Sequence, residues 1–172
     1  MHVGRLAARV LIGGLFVGHG TQKLFGWFGG GGRDATAQTM EKLQMEPARV
    51  QALAAGITET AGGAALAAGF ATPLAASSLI GVMATAIRTV HGPNGPWVTE
   101  GGYEYNAVLI ATLAALAEEG PGPFSVDAAL GFGRPGWKWG AGALALGALS
   151  STAVVASGRK VAQAKAESPS AS

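Results

Sequence analysis

Eight side chains in the sequence have the acid, base or hydrogen-bonding chemistry that a ligand site in an apolar environment needs. Histidine and carboxylate groups hold or pass protons, whereas lysine, arginine, tyrosine and asparagine donate hydrogen bonds to a ligand oxygen. Their spacing assigns no catalytic step, so we treat them as candidate ligand-binding residues. They are His19, Lys23, Glu59, Arg88, His91, Tyr103, Glu104 and Asn106.

The pair His19 and Lys23 closes an otherwise apolar run that begins at Leu6. Positions four apart lie on one face of a helix, and Arg5 and Arg9 fall with them inside an arc of roughly 80° at about 100° per residue. This face predicts either ligand or proton handling, or a structural pair that closes the helix end and extends to lipid headgroups. The residues alone leave both interpretations open.

The composition favours a membrane protein. Of 172 residues, 49% are hydrophobic and only 13% are charged, with a mean hydropathy of +0.33. The net charge of +2 is small and the basic residues are scattered, which excludes a nucleic-acid partner. With no cysteine, the chain forms no disulfide, thiolate metal site or iron–sulfur cluster of its own.

The hydrophobic pattern predicts an all-α, polytopic membrane helix bundle over residues 1–158. A helix needs roughly 20 residues to cross the hydrocarbon core, and the predicted spans are 5–26, 48–71, 73–91, 103–118 and 138–158. The first four make a core bundle and the fifth is added to it. Residues 34–45 are expected to form either a short amphipathic helix in the interface or a solvated loop, and 159–172 is a polar tail that we expect to be disordered.

Two features of these spans bear on helix contacts and on function. Gly14 and Gly18 form a small-xxx-small pair that lets a neighbouring helix approach, although chance matches are frequent in a chain with 28 glycines. Glu59 falls near the middle of its span, where an ionisable group costs about 3 kcal/mol. It is therefore either a functional group or a protonated carboxyl that hydrogen-bonds a neighbouring helix.

If the first three spans alternate in direction, most of the eight candidates gather at one side of the bundle. This predicts a polar pocket that opens to one face. Between Pro73 and Arg88 the sequence offers only Ser77, Ser78 and Thr85 as polar groups, so a path across the membrane is not favoured. His19 and His91 differ in estimated depth by roughly 8 Å, which argues against a haem between them, and no other metal-ligand spacing appears.

The chain resembles the DoxX family of small bacterial membrane proteins. The resemblance is carried by four motifs in the family's order, which are GLFVGHGTQKLFG at 14–26, ITETAGG at 57–63, GGYEYN at 101–106 and GPGPFSVDAAL at 120–130. It implies a four-helix bundle in the bacterial inner membrane that is associated with redox or detoxification systems. It implies no settled reaction, and the segment after Gly133 lies outside the usual four-helix pattern.

Three functions remain open at the level of sequence. The first is a membrane subunit, without an assigned catalytic step, of a redox or oxidative-stress system whose pocket holds a quinone or small oxidant. The second is a transporter or channel for a small solute, and the third is a scaffold that docks soluble oxidoreductases. No cofactor of its own is predicted apart from a bound quinone, and the expected partners are membrane lipid, an oxidoreductase and further copies of the same chain.

Overall fold

Every regular element in the part of the chain that the structure describes, residues 3–133 and 135–168, is helical. The structure is a computed structural model, and it confirms the all-α prediction for these ranges. α4 continues into a π-helical turn at Ile87–His91, and short 3-10 turns follow at Gly92–Asn94 and Val98–Glu100. The helices are α1 (Val3–Phe25), α2 (Gly32–Lys42), α3 (Ala48–Ala68), α4 (Thr72–Ala86), α5 (Glu104–Glu119), α6 (Val126–Ala129) and α7 (Trp137–Glu167).

The five long helices form two groups that meet between α3 and α4. In the first group α1 packs along α3, and in the second α4 packs on both α5 and α7. Long-range bonds define the two ends of the bundle. Arg5 at the start of α1 donates to the carbonyl of Glu119 at the end of α5, which lies at the α6 end. The N–H of Glu46, just before α3, donates to the carbonyl of Gly158 in α7, which lies at the opposite, α2 end.

Close contact between α1 and α3 depends on glycines seven residues apart. A Cβ atom at Gly13 would lie 2.5 Å from the Gly63 carbonyl oxygen, and one at Gly63 would lie 2.6 Å from the Gly13 oxygen. Two turns further along α1, a Cβ atom at Gly20 would lie 2.7 Å from the carbonyl oxygen of Gly56. The backbones of α1 and α3 therefore touch at both pairs of facing glycines.

The small-xxx-small pair that the sequence suggested is not part of this contact. A Cβ atom at Gly14 or Gly18 would meet nothing within 4 Å. Both glycines lie away from α3 because the crossing uses the face of α1 that carries Gly13 and Gly20. The four-residue spacing was thus the wrong one, and the glycines that matter are seven residues apart.

Large apolar side chains cover the outside of the bundle as well as its core. Leu66, Leu79 and Leu113 are fully buried, whereas Leu11, Leu74 and Leu149 are each more than three-fifths exposed. Two helices in the described part of the chain, Thr72–Asn94 and Trp137–Glu167, are long and apolar enough to cross a membrane. The presence of membrane-compatible helices agrees with the sequence, and the count of five spans stays a prediction.

At the α6 end, a buried arginine ties the loop after α5 to the first helices. Arg9 is only 2% exposed. Its guanidinium donates to the carbonyls of Ala67 at 3.2 Å and Phe124 at 2.6 Å, and also to that of Pro121. Several carbonyl acceptors offset the cost of burying a charge. Arg9 therefore stabilises the fold at this end and lies away from the eight candidate residues.

Asp127 fixes the start of α4 from the same loop. Its carboxylate accepts hydrogen bonds from the N–H of Ala71 at 2.7 Å, the N–H of Thr72 at 3.0 Å and the Thr72 hydroxyl at 2.9 Å. Ser125 in turn caps α6 by accepting from the N–H of Ala128. Because the first N–H groups of a helix have no partner within the helix, a carboxylate at that place is stabilising.

Replacing Asp127 with alanine should lower the free energy of unfolding by about 1–2 kcal/mol, the usual cost of losing a helix cap. Asp34→Ala is the matched control, because that carboxylate is exposed and its nearest cation, Arg49, lies 3.9 Å away. Thermal unfolding of the purified protein in detergent, followed by far-ultraviolet circular dichroism, measures both. Equal loss in the two variants would contradict the capping role.

The C-terminal part of α7 corrects the expectation of a disordered tail over 159–172. The helix continues to Glu167, and residues 169–172 lie outside the described part of the chain. Lys165 forms ion pairs with Glu46 at 2.8 Å and with Glu41 at 3.8 Å. Alanines at 162, 164 and 166 favour helix. They were the local signal for helix in this segment, whose polar composition had suggested disorder.

Hydrogen bonding keeps this terminal ion pair charged. The bond from Lys165, helped by the bond from the N–H of Ala48, lowers the pKa of Glu46, and the same pairing raises the pKa of Lys165. Both shifts favour the charged forms. The attraction is therefore present at neutral pH, and it is lost as the pH falls through the lowered pKa of Glu46 or rises through the raised pKa of Lys165.

Candidate functional site

A large cavity occupies the α2 end of the bundle. Its volume is about 780 Å³, and α1, α2, α3, α4, α5 and α7 all contribute to its wall. Most lining side chains are apolar, among them Phe16, Met40 and Leu109, and a smaller number of polar groups interrupt them. Cavities of roughly 300–1,000 Å³ with such a lining are typical of sites for small organic ligands.

Lys23 and Glu59 form a partly buried ion pair in the cavity wall. The Lys23 Nζ atom lies 2.6 Å from Glu59 Oε2, and the side chains are 28% and 4% exposed, respectively. The close crossing of α1 and α3 beside Gly20 and Gly56 brings the two helices within reach of each other. Glu59 is thus neither a free carboxylate nor a lone hydrogen-bonding group, since a cation directly compensates its charge.

Sequence reasoning placed Lys23 and Glu59 at different depths and did not pair them. Backbone rise alone places the Cα atom of Lys23 roughly 11 Å from the midplane, whereas Glu59 lies near it. Helical side chains, however, lean toward the N-terminus of their helix. Lys23 on α1 therefore extends back toward the middle of the bundle, where Glu59 lies.

His19 lies one turn before Lys23, at the exposed edge of the cavity. Its Nδ1 atom is 3.0 Å from Oε1 of Gln22. An amide oxygen only accepts, so Nδ1 carries a proton in this arrangement. In the neutral ring Nε2 is then left as an acceptor for a ligand or a water molecule.

The π-helical turn at the end of α4 decides which of its side chains reach the cavity. Thr89, Val90 and His91 all line it, whereas Arg88 does not. Arg88 is exposed and donates instead to the Thr152 hydroxyl at 2.9 Å. A π-helical turn adds a residue to the helical repeat and so changes the register of the residues after it. The predicted span over 73–91 did not include such a turn, so it did not place Arg88 outside the cavity.

His91 is held in one orientation by the loop before α5. Its Nδ1 atom lies 2.8 Å from the carbonyl oxygen of Gly101. Since a carbonyl oxygen accepts only, Nδ1 is the protonated nitrogen here as well. His91 and His19 therefore have the same tautomer when neutral, and each can accept through Nε2.

Asn106 is the most deeply buried amide of the cavity wall. It is 6% exposed, and Nδ2 lies 3.4 Å from the sulfur of Met83. A thioether is a weak acceptor, so the protein satisfies this amide incompletely. Because Nδ2 carries two N–H donors and its partner in the protein is a weak acceptor, this amide is suited to donate to a ligand oxygen in the cavity.

Tyr103 and Glu104 lie at the start of α5 but are not among the residues that line the cavity. Glu104 accepts a hydrogen bond from the N–H of Val98 at 2.9 Å and so fixes the turn before α5. Of the eight candidates, the structure brings five to the cavity wall and leaves Arg88, Tyr103 and Glu104 outside it. A ligand-binding role for any of the eight candidates stays a prediction. The five at the wall are His19, Lys23, Glu59, His91 and Asn106.

Sequence reasoning missed two parts of the wall. The first is one face of α2 together with the residue that follows the helix. Its lining residues recur at positions i, i+1, i+4, i+5 and i+8, and this helical spacing was the signal that could have identified the face. The second is a polar cluster between α4 and α7, in which the Thr85 hydroxyl of α4 donates to the Ser151 hydroxyl of α7 at 3.1 Å. The signal there was two adjacent serines inside 139–158, the stretch of α7 that carries no charged residue. These lining residues are Ala35, Thr36, Thr39, Met40 and Leu43, and Ser150 and Ser151.

Comparisons with known proteins support the family resemblance of the sequence. A family model described as DoxX matches residues 4–92 of the 172. No curated protein and no solved structure matches the chain. The match covers α1 to α4, so the motifs at 101–106 and 120–130 lie outside it, as do Asn106 and Ser151. In residues 3–133 and 135–168, no group of three or more histidine or carboxylate side chains is placed to hold a metal ion.

Proposed function

Because this chain belongs to the DoxX family of membrane-associated proteins, we propose that it is a multi-pass protein of the bacterial inner membrane that holds a quinone or a similar small oxidant. The cavity at its α2 end is the binding site in this proposal. The chain then serves a redox or detoxification system as its ligand-binding membrane subunit. The observation that carries the proposal is an apolar cavity whose wall contains the ion pair of Lys23 with the buried Glu59.

The positions of the tryptophans support a membrane location. All four are exposed. Trp27 and Trp97 lie in the loops at the α2 end, and Trp137 and Trp139 begin α7 at the α6 end. Tryptophan is enriched at both membrane–water interfaces. Between these two levels large apolar side chains such as Leu11, Val108 and Leu146 are exposed, and a hydrocarbon environment favours such a surface.

The cavity wall has the chemistry that a quinone needs. A quinone is a flat apolar ring whose two carbonyl oxygens accept hydrogen bonds. Lys23 Nζ and Asn106 Nδ2 are donors in the wall, and His19 and His91 can accept from the hydroxyl groups of the reduced form. The apolar majority of the lining suits the ring and its hydrocarbon chain.

The closed α6 end favours a one-sided pocket over a transport path. On α1 the lining reaches Ile12 and on α4 it reaches Ser78. Beyond that level, Arg9 and Asp127 are buried and bonded to backbone groups. A transport path would need these contacts to break.

In this proposal the chain holds the quinone and a partner carries out the electron transfer. A soluble or membrane oxidoreductase that reduces or reoxidises the quinone fits this need. Lipid surrounds the spans, and association with further copies of the chain is compatible with the exposed apolar surface.

Direct binding of a short-chain quinone tests the proposal. The protein is reconstituted in lipid nanodiscs, and bound radiolabelled quinone is counted against empty nanodiscs of the same lipid. Asn106→Leu removes one hydrogen bond to the ligand and should weaken binding by about two- to tenfold. Thr112→Val is the matched control, since Thr112 lies on the same helix, donates to the Val108 carbonyl and is not in the cavity wall.

Two results would count against the proposal. If the protein binds no more quinone than empty nanodiscs do, the cavity is not a quinone site and the docking scaffold is favoured. If Thr112→Val weakens binding as much as Asn106→Leu does, the quinone binds elsewhere on the protein.

A further inference from the structure

α2 forms a wall of the cavity while being weakly anchored to the bundle. Thr39, Met40 and the following Leu43 face the cavity. Ala37 is the one buried residue within the helix. A segment with so few buried contacts opens at a lower free energy than the helices of the core.

The connection between α1 and α2 is suited to bending. Five of the seven residues from 26 to 32 are glycine. Gly26, Gly29 and Gly32 have φ angles of 75°, 78° and 70°, which residues with a side chain rarely adopt. Such a segment can absorb the backbone rotation that a moving helix requires.

The other end of α2 is held by α7. Met45 is 2% exposed and lines the cavity, and a Cβ atom at Gly158 would lie 3.3 Å from its Cα and Sδ atoms. The Glu46 N–H donates to the Gly158 carbonyl at 3.3 Å. Two turns further along α7, Lys165 pairs with Glu46.

We propose that α2 is a lid over the cavity, hinged at residues 26–32, and that the last turns of α7 hold it closed through Met45 against Gly158 and through the pairing of Lys165 with Glu46. The inference rests on the proposed function only in treating the cavity as a ligand site. The α7 half of this latch, Gly158 and Lys165, lies outside residues 4–92, the part of the chain that the family model matches.

Access to a buried side chain of the cavity tests the lid without any ligand. Ser151 lines the cavity and is 1% exposed. Because the chain has no cysteine, Ser151→Cys supplies a single thiol. Its modification by methyl methanethiosulfonate, a small neutral reagent, is followed by intact mass. The initial rate reports how often the cavity opens.

Weakening the latch should speed this reaction. In the Ser151→Cys protein, Lys165→Gln and Glu46→Gln should each raise the modification rate by about two- to fivefold, as expected for an exposed ion pair. Glu46→Gln keeps an acceptor for the Ala48 N–H. Lys160→Gln is the matched control, because Lys160 is also exposed on α7 and should leave the rate unchanged. High salt should raise the parent's rate but not that of Lys165→Gln.

Two outcomes would overturn the lid. One is an unchanged rate in both latch variants, and the other is an equal increase in Lys160→Gln. If Ser151→Cys does not fold, hydrogen exchange of the α2 amides in Lys165→Gln and Lys160→Gln decides the same question, since only the first should accelerate it. Absence of quinone binding would refute the proposed ligand alone, because the reagent enters the cavity whatever its natural occupant.

Discussion

Lys23→Met is expected to lower the free energy of unfolding by about 3–5 kcal/mol, the cost of leaving a buried charge without its ion-pair partner. The methionine has a similar length, so packing changes little. The variant leaves Glu59, which is 3% exposed, without its cation. A carboxylate in that position must either stay charged without a partner or take up a proton.

The companion variants separate the ion pair from other effects. Glu59→Leu should cost less than Lys23→Met, because the Lys23 side chain is 28% exposed and its ammonium can regain water from the cavity. The double variant Lys23→Met with Glu59→Leu should recover most of the loss, since it leaves no buried charge. Unfolding by sodium dodecyl sulfate in mixed micelles measures all three, with Lys160→Met as an exposed control.

A double variant that is no more stable than Lys23→Met would contradict the pairing. Glu59→Gln adds a functional arm to the same series. The amide keeps the shape and a hydrogen-bond acceptor, so the protein should fold, but it lacks the negative charge that fixes the Lys23 ammonium. We expect short-chain quinone binding to fall in this variant while the unfolding midpoint changes little, and unaltered binding would show that ionisation of Glu59 is not needed.

Gly63→Leu is expected to lower the free energy of unfolding by about 3 kcal/mol, the upper end of the usual cost of overpacking. Even the Cβ atom would lie 2.6 Å from the Gly13 carbonyl oxygen and 2.8 Å from the Phe16 Cβ atom. These neighbours belong to the facing helix and its backbone, so α1 and α3 must move apart. That displacement would also draw Lys23 away from Glu59.

Gly14→Leu is the matched control for the helix crossing. Gly14 lies on the same helix as Gly13, and a Cβ atom there would meet nothing within 4 Å. Leucine is favoured over glycine in a helix by up to about 1 kcal/mol, so the control should be neutral or slightly stabilising. The same unfolding titration compares the two. A greater loss in Gly14→Leu would mean that the crossing uses the four-residue spacing after all.

The class of protein and the positions of its main helices could be predicted from the amino-acid sequence alone. Apolar runs and the proline and glycine residues between them are local signals, and they predicted helices near 5–26, 48–71 and 138–158, where α1, α3 and α7 lie. The sequence also pointed to the family and to the end of the bundle at which polar residues collect. Hydrophobicity and turn chemistry act within a few residues along the chain, so they can be interpreted without the fold.

The contacts between these residues depend on the tertiary fold. The Lys23 ammonium reaches Glu59 because two glycine-lined helices touch and because the lysine leans back along its helix. Arg88 misses the cavity because a π-helical turn changes the register of α4. Asp127 caps a helix that begins 55 residues earlier, and Lys165 helps to order a segment that looked like a tail. Apart from the local π-helical turn, each depends on a contact between distant segments, set by backbone geometry that leaves no periodic trace in the sequence.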